Sequence, residues 1–213
     1  MMDISTLTEQ FIKSHLKRSE LHTDPIEQFN QWMQDRLHHP TNEPTAMSLA
    51  TASLSGEVSI RTVLLKYIEH NSFVFFTNYH SEKAAQISEN ANVALLFQWL
   101  DLERQIKIKG YAEKISAAQS LKYFLSRPRN SQINAWASPQ SSTIKTRSFL
   151  LKQAQRVKQK YKNKTIPLPD FWGGYRVTAQ QIEFWQGRNN RLHDRFLYTL
   201  NQDNNWQIKR LAP

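Results

Sequence analysis

The chain reads Glu183-Phe184-Trp185-Gln186-Gly187 and then, after a short polar break, Arg191-Leu192-His193-Asp194-Arg195-Phe196. We predict that both segments are strands, in which successive side chains point to opposite faces. Arg191, His193 and Arg195 would then share one face. Such a row favours an anionic or aromatic ligand, because arginine binds phosphates in a planar fork and histidine titrates near neutral pH. A solvated, charged strand face explains this segment alone equally well.

The composition is typical of one folded, water-soluble domain. The chain has 213 residues, of which 39% are hydrophobic and 22% are charged,. No apolar run could span a membrane and no signal peptide opens the chain, so we expect a cytoplasmic protein without a membrane partner. There are no cysteines, which excludes disulfides and thiolate chemistry. The net charge of +10 favours anionic partners: nucleic acid, anionic lipid or phosphorylated small molecules.

The organisation of the chain indicates an N-terminal arm followed by one domain. We expect residues 1–23 to form a mobile arm, in which residues 1–20 are a polar, weakly amphipathic helix. Residues 24–213 are expected to form a single domain. It opens with a helix from the N-cap Asp24 to about Leu37,.

Strands come first in this domain, helices follow, and strands end the chain. The predicted strands are Met47 to Leu54, Val58 to Tyr67, Ser72 to Thr77, Val93 to Trp99 and Arg104 to Lys114, with three more from Arg176 onward,. The predicted helices are a short one after Ser81, one from Ser116 to about Leu125, one opened by Pro128, and one over 147–162,. Because no strand–helix–strand repeat is present, we predict the α+β class, with an antiparallel sheet curled into a barrel and helices packed outside.

One candidate site lies on the apolar strand Arg61-Thr62-Val63-Leu64-Leu65-Lys66, which has a cation at each end. In an ideal strand Arg61 and Lys66 lie on opposite faces, so a bulge or the end of the strand must intervene if both serve one site. A core strand flanked by solvated charges is the simpler interpretation of this segment by itself.

A second candidate site is the cationic cluster Arg127-Pro128-Arg129-Asn130-Ser131-Gln132 at a predicted helix N-terminus. Backbone N–H groups favour anions there, and arginine can hold a phosphate bidentately. Tyr123 lies on the same helical face as Arg127 if the preceding helix extends that far. Gln140-Ser141-Ser142 adds neutral donors. Ordinary helix capping accounts for this cluster equally well.

The motifs of several other chemistries are absent from the sequence. There is no P-loop or dinucleotide-binding fingerprint, and five glycines in total leave little room for either,. No HExxH motif or closely spaced set of His and Asp ligands suggests a metal site. No nucleophile-elbow motif indicates a serine hydrolase.

Together these segments resemble the pyridoxine (pyridoxamine) 5′-phosphate oxidase family. The resemblance extends in order from about Asp24 to the last residue, and the ordered set is far more specific than any single block. The matching blocks are Arg61–Lys66, Phe75–Asn78, Leu102–Gln105, Ser126–Gln132, Gln140–Ser142, Pro167–Pro169, Phe171–Gly174, Gln181–Gly187, Arg191–Phe196 and Arg210–Pro213.

The resemblance implies a homodimer of antiparallel split β-barrels with surrounding helices, and FMN bound in clefts between the subunits. It assigns the FMN phosphate to Arg61, Lys83, Gln140 and Ser141, with Phe76 and Thr77 on adjoining strand positions. It assigns further FMN contacts to Thr62, Val63, Leu64 and Leu65, and the rest of the flavin to Lys66, Gln105, Trp185 and Arg195. It assigns the substrate phosphate to Tyr123, Arg127 and Ser131, with Lys66 nearby, and the substrate ring to Arg191 and His193.

The activity that the resemblance implies is oxidation of pyridoxine 5′-phosphate and pyridoxamine 5′-phosphate to pyridoxal 5′-phosphate. A hydride would pass from the substrate C4′ carbon to the flavin N5, and dioxygen would reoxidise the flavin to give hydrogen peroxide. Arg191 and His193 are the residues implied at the reacting ring. We expect them to orient the substrate rather than to act as an obligate base or nucleophile.

The sequence departs from the family's pattern at two places. Ser81-Glu82-Lys83 stands where the family often has Ser-Arg-Lys. We therefore expect Glu82 to point away from the phosphate and the affinity for FMN to be lower. Thr8-Glu9-Gln10-Phe11 stands where the family's arm commonly carries an Arg and a Tyr that close over the substrate. No site residue is assigned there.

Two other functions stay open from the residues alone. A different flavin or deazaflavin oxidoreductase could use the same barrel, because a fold does not determine its substrate. A basic module that binds nucleic acid or delivers pyridoxal phosphate is the least favoured alternative. The six cations of residues 152–164 are more simply a solvated helix face, so nucleic acid is an unexpected partner.

Overall fold

The computed structural model describes residues 14–39 and 43–213. Most of the predicted N-terminal arm, including Thr8–Phe11, lies outside the described residues. The described part of the chain divides into two compact units. Unit 1 comprises the described residues up to Leu49 together with Ala94–Gly110 and Ala179–Pro213, and unit 2 comprises Ala50–Val93 and Tyr111–Thr178.

Five α-helices and nine strands form in the described residues. The helices are α1 (Pro25–Leu37), α2 (Glu82–Glu89), α3 (Ala117–Ser126), α4 (Arg129–Ala137) and α5 (Arg147–Lys160). The strands are β1 (Ala46–Ala52), β2 (Val58–Leu64), β3 (Tyr67–Glu69), β4 (Ser72–Asn78), β5 (Asn92–Trp99), β6 (Arg104–Lys114), β7 (Trp172–Gln186), β8 (Asp194–Leu200) and β9 (Trp206–Arg210). Within this described part, no helix has the length and apolar character needed to cross a membrane.

The strands belong to one sheet, in which hydrogen-bonded neighbours follow the order β2-β1-β5-β6-β7-β4-β3, while β8 pairs with β7 and β9. The long strand β7 pairs antiparallel with β4, where Phe75 lies opposite Tyr175, and with β8, where Trp185 lies opposite Arg195. An antiparallel sheet accompanied by separate helices confirms the predicted α+β class.

In unit 1, helix α1 determines which face of β7 is turned to the core. The helix begins after Asp24, whose carboxylate accepts a hydrogen bond from the Ile26 N–H at 2.8 Å, as its predicted N-cap position requires,. Trp32 of this helix packs edge-to-face on Phe184, with 5.2 Å between the ring centroids,. Because side chains alternate along a strand, the neighbouring Trp185 points to the opposite face of β7.

In unit 2, the helices pack on a small apolar cluster that consists of Phe124, Ile133, Ile166 and Trp172. Helix α3 begins with a complete capping box, in which Ser116 and Gln119 satisfy each other's backbone N–H groups,. Helix α4 begins directly after Pro128. Both helix starts confirm the prediction from the sequence.

Two consecutive glycines of β7 permit unusually close packing in unit 2. A Cβ atom on Gly174 would lie 2.5 Å from Ile115 Cδ1 and 2.9 Å from Phe76 Cε1. A Cβ atom on Gly173 would lie 2.2 Å from the hydroxyl of Tyr79. Glycine is therefore required here by space, and the close approach brings β7 against the ring of Phe76.

The prediction of a strand over 191–196 was wrong for its first half. A 3₁₀ turn occupies Asn189–Arg191, and β8 begins only at Asp194, so Arg191, His193 and Arg195 do not form one row of a strand. Asn190 and Arg191 have φ angles of 56° and 61°, in the left-handed region that strands do not use,. Asparagine tolerates this region better than most residues, which explains the turn at the polar segment.

Two other predicted boundaries differ from the structure. The predicted strand from Val58 to Tyr67 is divided, because β2 ends at Leu64 and β3 begins at Tyr67. The predicted helix over 1–20 is absent from its described part, residues 14–20, where only Arg18–Glu20 forms a 3₁₀ turn.

Candidate active site

Unit 2 contains a cavity of about 310 Å³ to which both ends of the Arg61–Lys66 segment contribute. Because β2 ends at Leu64, the chain leaves the strand before Lys66, and Arg61 and Lys66 line the same cavity. The strand end is thus the interruption that the sequence required. The lining residues are Arg61, Thr62, Val63, Leu64, Lys66, Phe76, Thr77, Lys83, Tyr123, Arg127, Gln140 and Trp172.

A buried ammonium group forms one wall of this cavity. Lys83 is 8% exposed, and its Nζ donates to Gln140 Oε1 at 3.1 Å and to Thr77 Oγ1 and Ser81 Oγ at 3.3 Å. The pKa of Lys83 is lowered to about 8, chiefly by burial and also by the charge of Arg61, while Glu82 acts in the opposite direction,. Its three described partners are neutral oxygens. An anion bound in the cavity would therefore stabilise the charged form of this amine and raise its pKa.

A guanidinium with an unsatisfied nitrogen forms another part of the wall. Arg127 lies over the ring of Trp172, 4.6 Å from its centroid, and its buried Nη1 has no hydrogen-bond partner among the described residues. Burial lowers the pKa of Arg127, and the neighbouring Tyr123 opposes this effect. A buried donor without a partner is costly. An anion that reached Nη1 would remove this cost.

The guanidinium of Arg61 donates hydrogen bonds to two residues of unit 2. Its Nη1 donates to Thr51 Oγ1 at 2.5 Å and to the carbonyl oxygen of Ser59 at 3.3 Å. Burial lowers the pKa of Arg61, while the carboxylate of Glu82 raises it. Glu82 does not line the cavity; its Oε1 accepts a hydrogen bond from Ser59 Oγ at 2.6 Å. The expectation that Glu82 points away from an anion in the cavity agrees with this placement.

Aromatic rings form the floor of the unit 2 cavity. Phe76 stacks on Tyr123 with 3.9 Å between centroids and on Trp172 with 5.4 Å. Burial raises the pKa of the Tyr123 hydroxyl, and the nearby Arg127 lowers it. The hydroxyl is therefore a neutral hydrogen-bond donor at neutral pH, beside the guanidinium.

Unit 1 contains a separate cavity of about 230 Å³, lined by Gln105, Lys107, Glu183, Trp185, Arg195 and Pro213. The buried carboxylate of Glu183 accepts from Arg195 Nε at 2.8 Å and contacts Lys107 Nζ at 2.5 Å. Burial raises the pKa of Glu183, but the hydrogen bonds and charges of Lys107 and Arg195 outweigh burial and leave the pKa lowered,. Arg195 is thereby fixed in one orientation at this cavity.

The neighbouring turn of unit 1 carries His193. Its Nδ1 accepts a hydrogen bond from the Arg188 N–H at 3.1 Å, and its ring lies 4.6 Å from that of Trp185. Burial lowers the pKa of His193, and the charges of Arg191 and Arg195 lower it further. The ring is therefore neutral at neutral pH, and its proton is on Nε2 because Nδ1 is an acceptor.

Most of the residues singled out in the sequence lie at one of these two cavities or beside them. Exceptions are Leu65, which is buried directly after β2; Ser131, on the first turn of α4; Ser141, an exposed residue with φ of 69° next to Gln140; and Arg191, an exposed residue of the 3₁₀ turn that lines neither cavity. Sequence reasoning missed Trp172 as a partner of Arg127, and Lys107 and Glu183 as partners of Arg195. A signal for the second pair existed, because Lys107 and Glu183 are charges within alternating strands.

Metal binding finds no support in the described residues. Within 14–39 and 43–213 no group of three His, Cys, Asp or Glu side chains is placed to hold an ion. The unit 2 cavity is lined by cations, an amide, a hydroxyl and aromatic rings, which suits an anionic, planar ligand, and the carboxylate of Glu183 in the unit 1 cavity is paired with Lys107 and Arg195,.

Comparison with known families agrees with this chemistry. A family model described as pyridoxamine 5′-phosphate oxidase matches residues 33–161, and one described as the pyridoxine 5′-phosphate oxidase C-terminal dimerisation region matches residues 172–213. The chain belongs to the pyridoxamine 5′-phosphate oxidase family. This confirms the resemblance seen in the sequence. The pyridoxine/pyridoxamine 5′-phosphate oxidase of Rippkaea orientalis is 55% identical to this chain, with 100% of each covered. As a member of the family, the chain is an oxidoreductase.

Solved structures similar to this one have the same fold. PhzG from Burkholderia lata 383, in complex with tetrahydrophenazine-1-carboxylic acid, has a TM-score of 0.86 at 27% identity, covering 92% of this chain and 95% of that chain. An FMN-binding protein from Nostoc punctiforme, related to pyridoxamine 5′-phosphate oxidase, has a TM-score of 0.73 at 16% identity, covering 91% and 100%. The fold of the oxidase family, the predicted split barrel, is thus confirmed.

Proposed function

We propose that this chain is an FMN-dependent oxidase that converts pyridoxine 5′-phosphate and pyridoxamine 5′-phosphate into pyridoxal 5′-phosphate, with dioxygen as electron acceptor. The observation that carries the proposal is the buried Nη1 of Arg127, which has no hydrogen-bond partner in the described part of the chain and lies at a cavity also lined by the buried Lys83. Two cationic positions in one cavity suit two anionic groups. A flavin phosphate and a substrate phosphate are two such groups.

In this proposal the FMN phosphate binds at Lys83 and Arg61, with Gln140 and Ser141 as neutral partners. Lys83 supports this assignment, because its ammonium group donates only to three neutral oxygens among the described residues. A bound phosphate would stabilise its positive charge,. The flavin would also contact β2 residues 62–65, Phe76 and Thr77, and the remaining contacts would come from Lys66, Gln105, Trp185 and Arg195.

The substrate phosphate is assigned to Arg127, Tyr123 and Ser131, with Lys66 nearby. Arg127 can offer Nη1, and the neutral Tyr123 hydroxyl can donate beside it,. Ser131 lies at the third position of α4, where the helix N-terminus favours negative charge,. A phosphate bound by these groups would fix one end of the substrate and so limit the positions that its ring can take.

Arg191 and His193 are assigned to the ring of the substrate. A neutral His193 with its proton on Nε2 can donate one hydrogen bond to a ring substituent. Arg191 can lie flat against a pyridine, because the guanidinium is planar and only weakly hydrated. These residues orient the substrate and need not transfer a proton.

When bound, FMN would supply the redox chemistry: it takes a hydride from the substrate carbon that becomes the aldehyde, and its reoxidation reduces dioxygen to hydrogen peroxide. The amine substrate also consumes one water and releases ammonia, whereas the alcohol requires neither. The chain's own residues contribute binding and orientation. We further propose a homodimer, which the match to a dimerisation-region family supports, and place FMN at its subunit interface.

Turnover tests the proposal. The purified protein, supplied with FMN and pyridoxamine 5′-phosphate in air, should form pyridoxal 5′-phosphate and hydrogen peroxide in equal amounts. Unphosphorylated pyridoxamine is the matched control and should react far more slowly, because Arg127 then has no phosphate to bind. Absence of peroxide with both phosphorylated substrates would overturn the proposed function.

A further inference from the structure

Five side chains of unit 2 form a continuous series of hydrogen bonds that begins at Arg61 and ends at Glu82. Arg61 Nη1 donates to Thr51 Oγ1 at 2.5 Å, and the Thr51 hydroxyl donates to Gln86 Oε1. Gln86 Nε2 donates to Ser59 Oγ at 3.1 Å, and the Ser59 hydroxyl donates to Glu82 Oε1 at 2.6 Å. We call this series the Arg61–Glu82 relay.

The two ends of the relay determine the direction of every hydrogen bond in it. A guanidinium can only donate, and a carboxylate can only accept. Each hydroxyl between them therefore accepts one hydrogen bond and donates the next. The amide of Gln86 has a single orientation in which its oxygen and its nitrogen are both used. The relay thus allows one arrangement of its members.

Two of the three inner members of the relay, Thr51 and Gln86, are shielded from water, while Ser59 is partly exposed. Thr51 is 2% exposed and Gln86 is 6% exposed. Because solvent cannot replace the lost partner of a buried hydroxyl or amide, the hydrogen bonds of Thr51 and Gln86 are costly to break,. Arg61 Nη1 also donates to the carbonyl oxygen of Ser59 at 3.3 Å, which adds a second fixed acceptor. The orientation of the guanidinium is therefore fixed by two acceptors, the Thr51 hydroxyl and the Ser59 carbonyl.

We propose that Thr51, Gln86 and Ser59, anchored on Glu82, are positioning residues that hold Arg61 for the flavin phosphate and so make the protein select FMN over riboflavin. This inference rests on the proposed function, in which Arg61 binds that phosphate. An arginine already held in place loses less side-chain freedom when an anion binds. The affinity gained in this way applies only to the ligand that carries the phosphate.

Glu82 has a role in this arrangement as the last acceptor of the relay. A free carboxylate close to a phosphate site would repel the ligand. Here the carboxylate accepts the last hydrogen bond of the relay, while Arg61 and not Glu82 lines the cavity. Glu82 thus acts on the phosphate through Arg61, by orienting it.

The test compares FMN and riboflavin, which differ only in the phosphate. Thr51→Val keeps the shape of the side chain and removes the hydroxyl between Arg61 and Gln86. Dissociation constants of the flavin-free protein are measured from the quenching of flavin fluorescence. The Kd for FMN should rise about tenfold, the amount expected for one hydrogen bond to a charged group, while the Kd for riboflavin stays within about twofold.

Thr178→Val is the matched control, because it also removes a strand hydroxyl in unit 2, one that contacts Ser72 Oγ at 3.2 Å, away from Arg61. It should change neither constant. Glu82→Gln and Glu82→Ala form a second test should Thr51→Val not fold. Both remove the negative charge, but only glutamine keeps an acceptor for Ser59, so the alanine variant should bind FMN several-fold more weakly than the glutamine variant.

The outcomes separate the inference from the proposed function. Equal weakening of FMN and riboflavin in Thr51→Val, or no weakening of either, would overturn the relay's role while the wild-type protein still binds FMN. A wild-type protein that binds FMN no better than riboflavin would overturn the phosphate assignment of Arg61, and the relay inference with it.

Discussion

The ammonium of Lys83 lies 3.1 Å from the side-chain oxygen of Gln140, and its other two described partners, on Thr77 and Ser81, are neutral hydroxyls. A buried amine in such surroundings loses its proton easily, and the pKa of Lys83 is lowered to about 8, chiefly by burial. A bound phosphate has the opposite effect, because it favours the ammonium form. The protonation of Lys83 should therefore be linked to FMN binding.

The affinity for FMN should fall as the pH rises through about 8. Below this pH the amine is already charged, so binding takes up no proton at Lys83. Above it, each binding event must first protonate the amine, and Kd should rise by up to about tenfold per pH unit. Titrations of the flavin-free protein with FMN between about pH 7 and pH 9.5, on both sides of the pKa of Lys83, would measure this change in Kd.

Riboflavin and Lys83→Met are the controls for this pH dependence. Riboflavin carries no phosphate, so its Kd should stay constant over the same range. The methionine variant has no group that titrates here and should bind FMN weakly, with a flat profile. An FMN affinity in the wild type that stays constant to pH 9.5 (about 1.5 units above the pKa) would contradict the assignment of Lys83.

Arg127→Met should raise the KM for pyridoxamine 5′-phosphate by about 30-fold or more, since a hydrogen-bonded charge is lost. The affinity for FMN should not change, because the flavin phosphate is assigned to other cations. Arg127→Lys should recover only part of the loss, because an ammonium cannot replace the planar fork. Steady-state kinetics and flavin titration would measure the two effects. Loss of FMN affinity in place of the KM effect would count against the assignment of Arg127 to the substrate.

Substitution of Arg191 or His193 should lower turnover much more than FMN binding. Arg191→Ala and His193→Asn are expected to reduce kcat/KM by about 100-fold, the size of effect that loss of orientation at a reacting centre produces. The FMN titration of each variant should match that of the wild type. Thr199→Val, on β8 and outside both cavities, is a control for general effects on the unit. A turnover close to that of the wild type in both variants would remove these residues from the site.

Gly174→Ala should destabilise the protein by about 1–3 kcal/mol, the usual cost of overpacking. The new Cβ would meet Ile115 Cδ1 at 2.5 Å and Phe76 Cε1 at 2.9 Å. Because Phe76 lines the unit 2 cavity, FMN affinity should fall as well. Gly56→Ala is the comparison, since Gly56 has φ of 84° and no atom of the described residues lies within 4 Å of its Cβ position. It should lower the melting temperature through backbone strain alone and leave FMN binding unchanged.

Much of the fold could be predicted from local signals. The N-caps Asp24 and Ser116 and the helix start at Pro128 appear where the sequence placed them, because each is decided by residues within one turn,. The turn at Asn189–Arg191 was missed because alternation of charged and apolar residues also occurs in irregular segments,. The left-handed backbone at Asn190 and Arg191 is not visible in that alternation.

The candidate site was predictable in its cations but not in its supporting contacts. Arg61, Lys66 and Arg127 were singled out because charges beside apolar strands or at helix starts need an explanation. The relay from Arg61 to Glu82 was not predictable, because its links join residues up to 35 positions apart on β1, β2 and α2. Local patterns carry no information on such pairs. The Nη1 of Arg127, without a partner in 14–39 and 43–213, is likewise buried beside Trp172, which is 45 positions away in the sequence.

The most direct test of the proposed oxidase is the visible spectrum of the protein with bound FMN, recorded without oxygen before and after pyridoxamine 5′-phosphate is added. The flavin absorbance should bleach on addition of substrate and return when air is admitted, with pyridoxal 5′-phosphate formed. Bound flavin that stays oxidised in the presence of both phosphorylated substrates would contradict it.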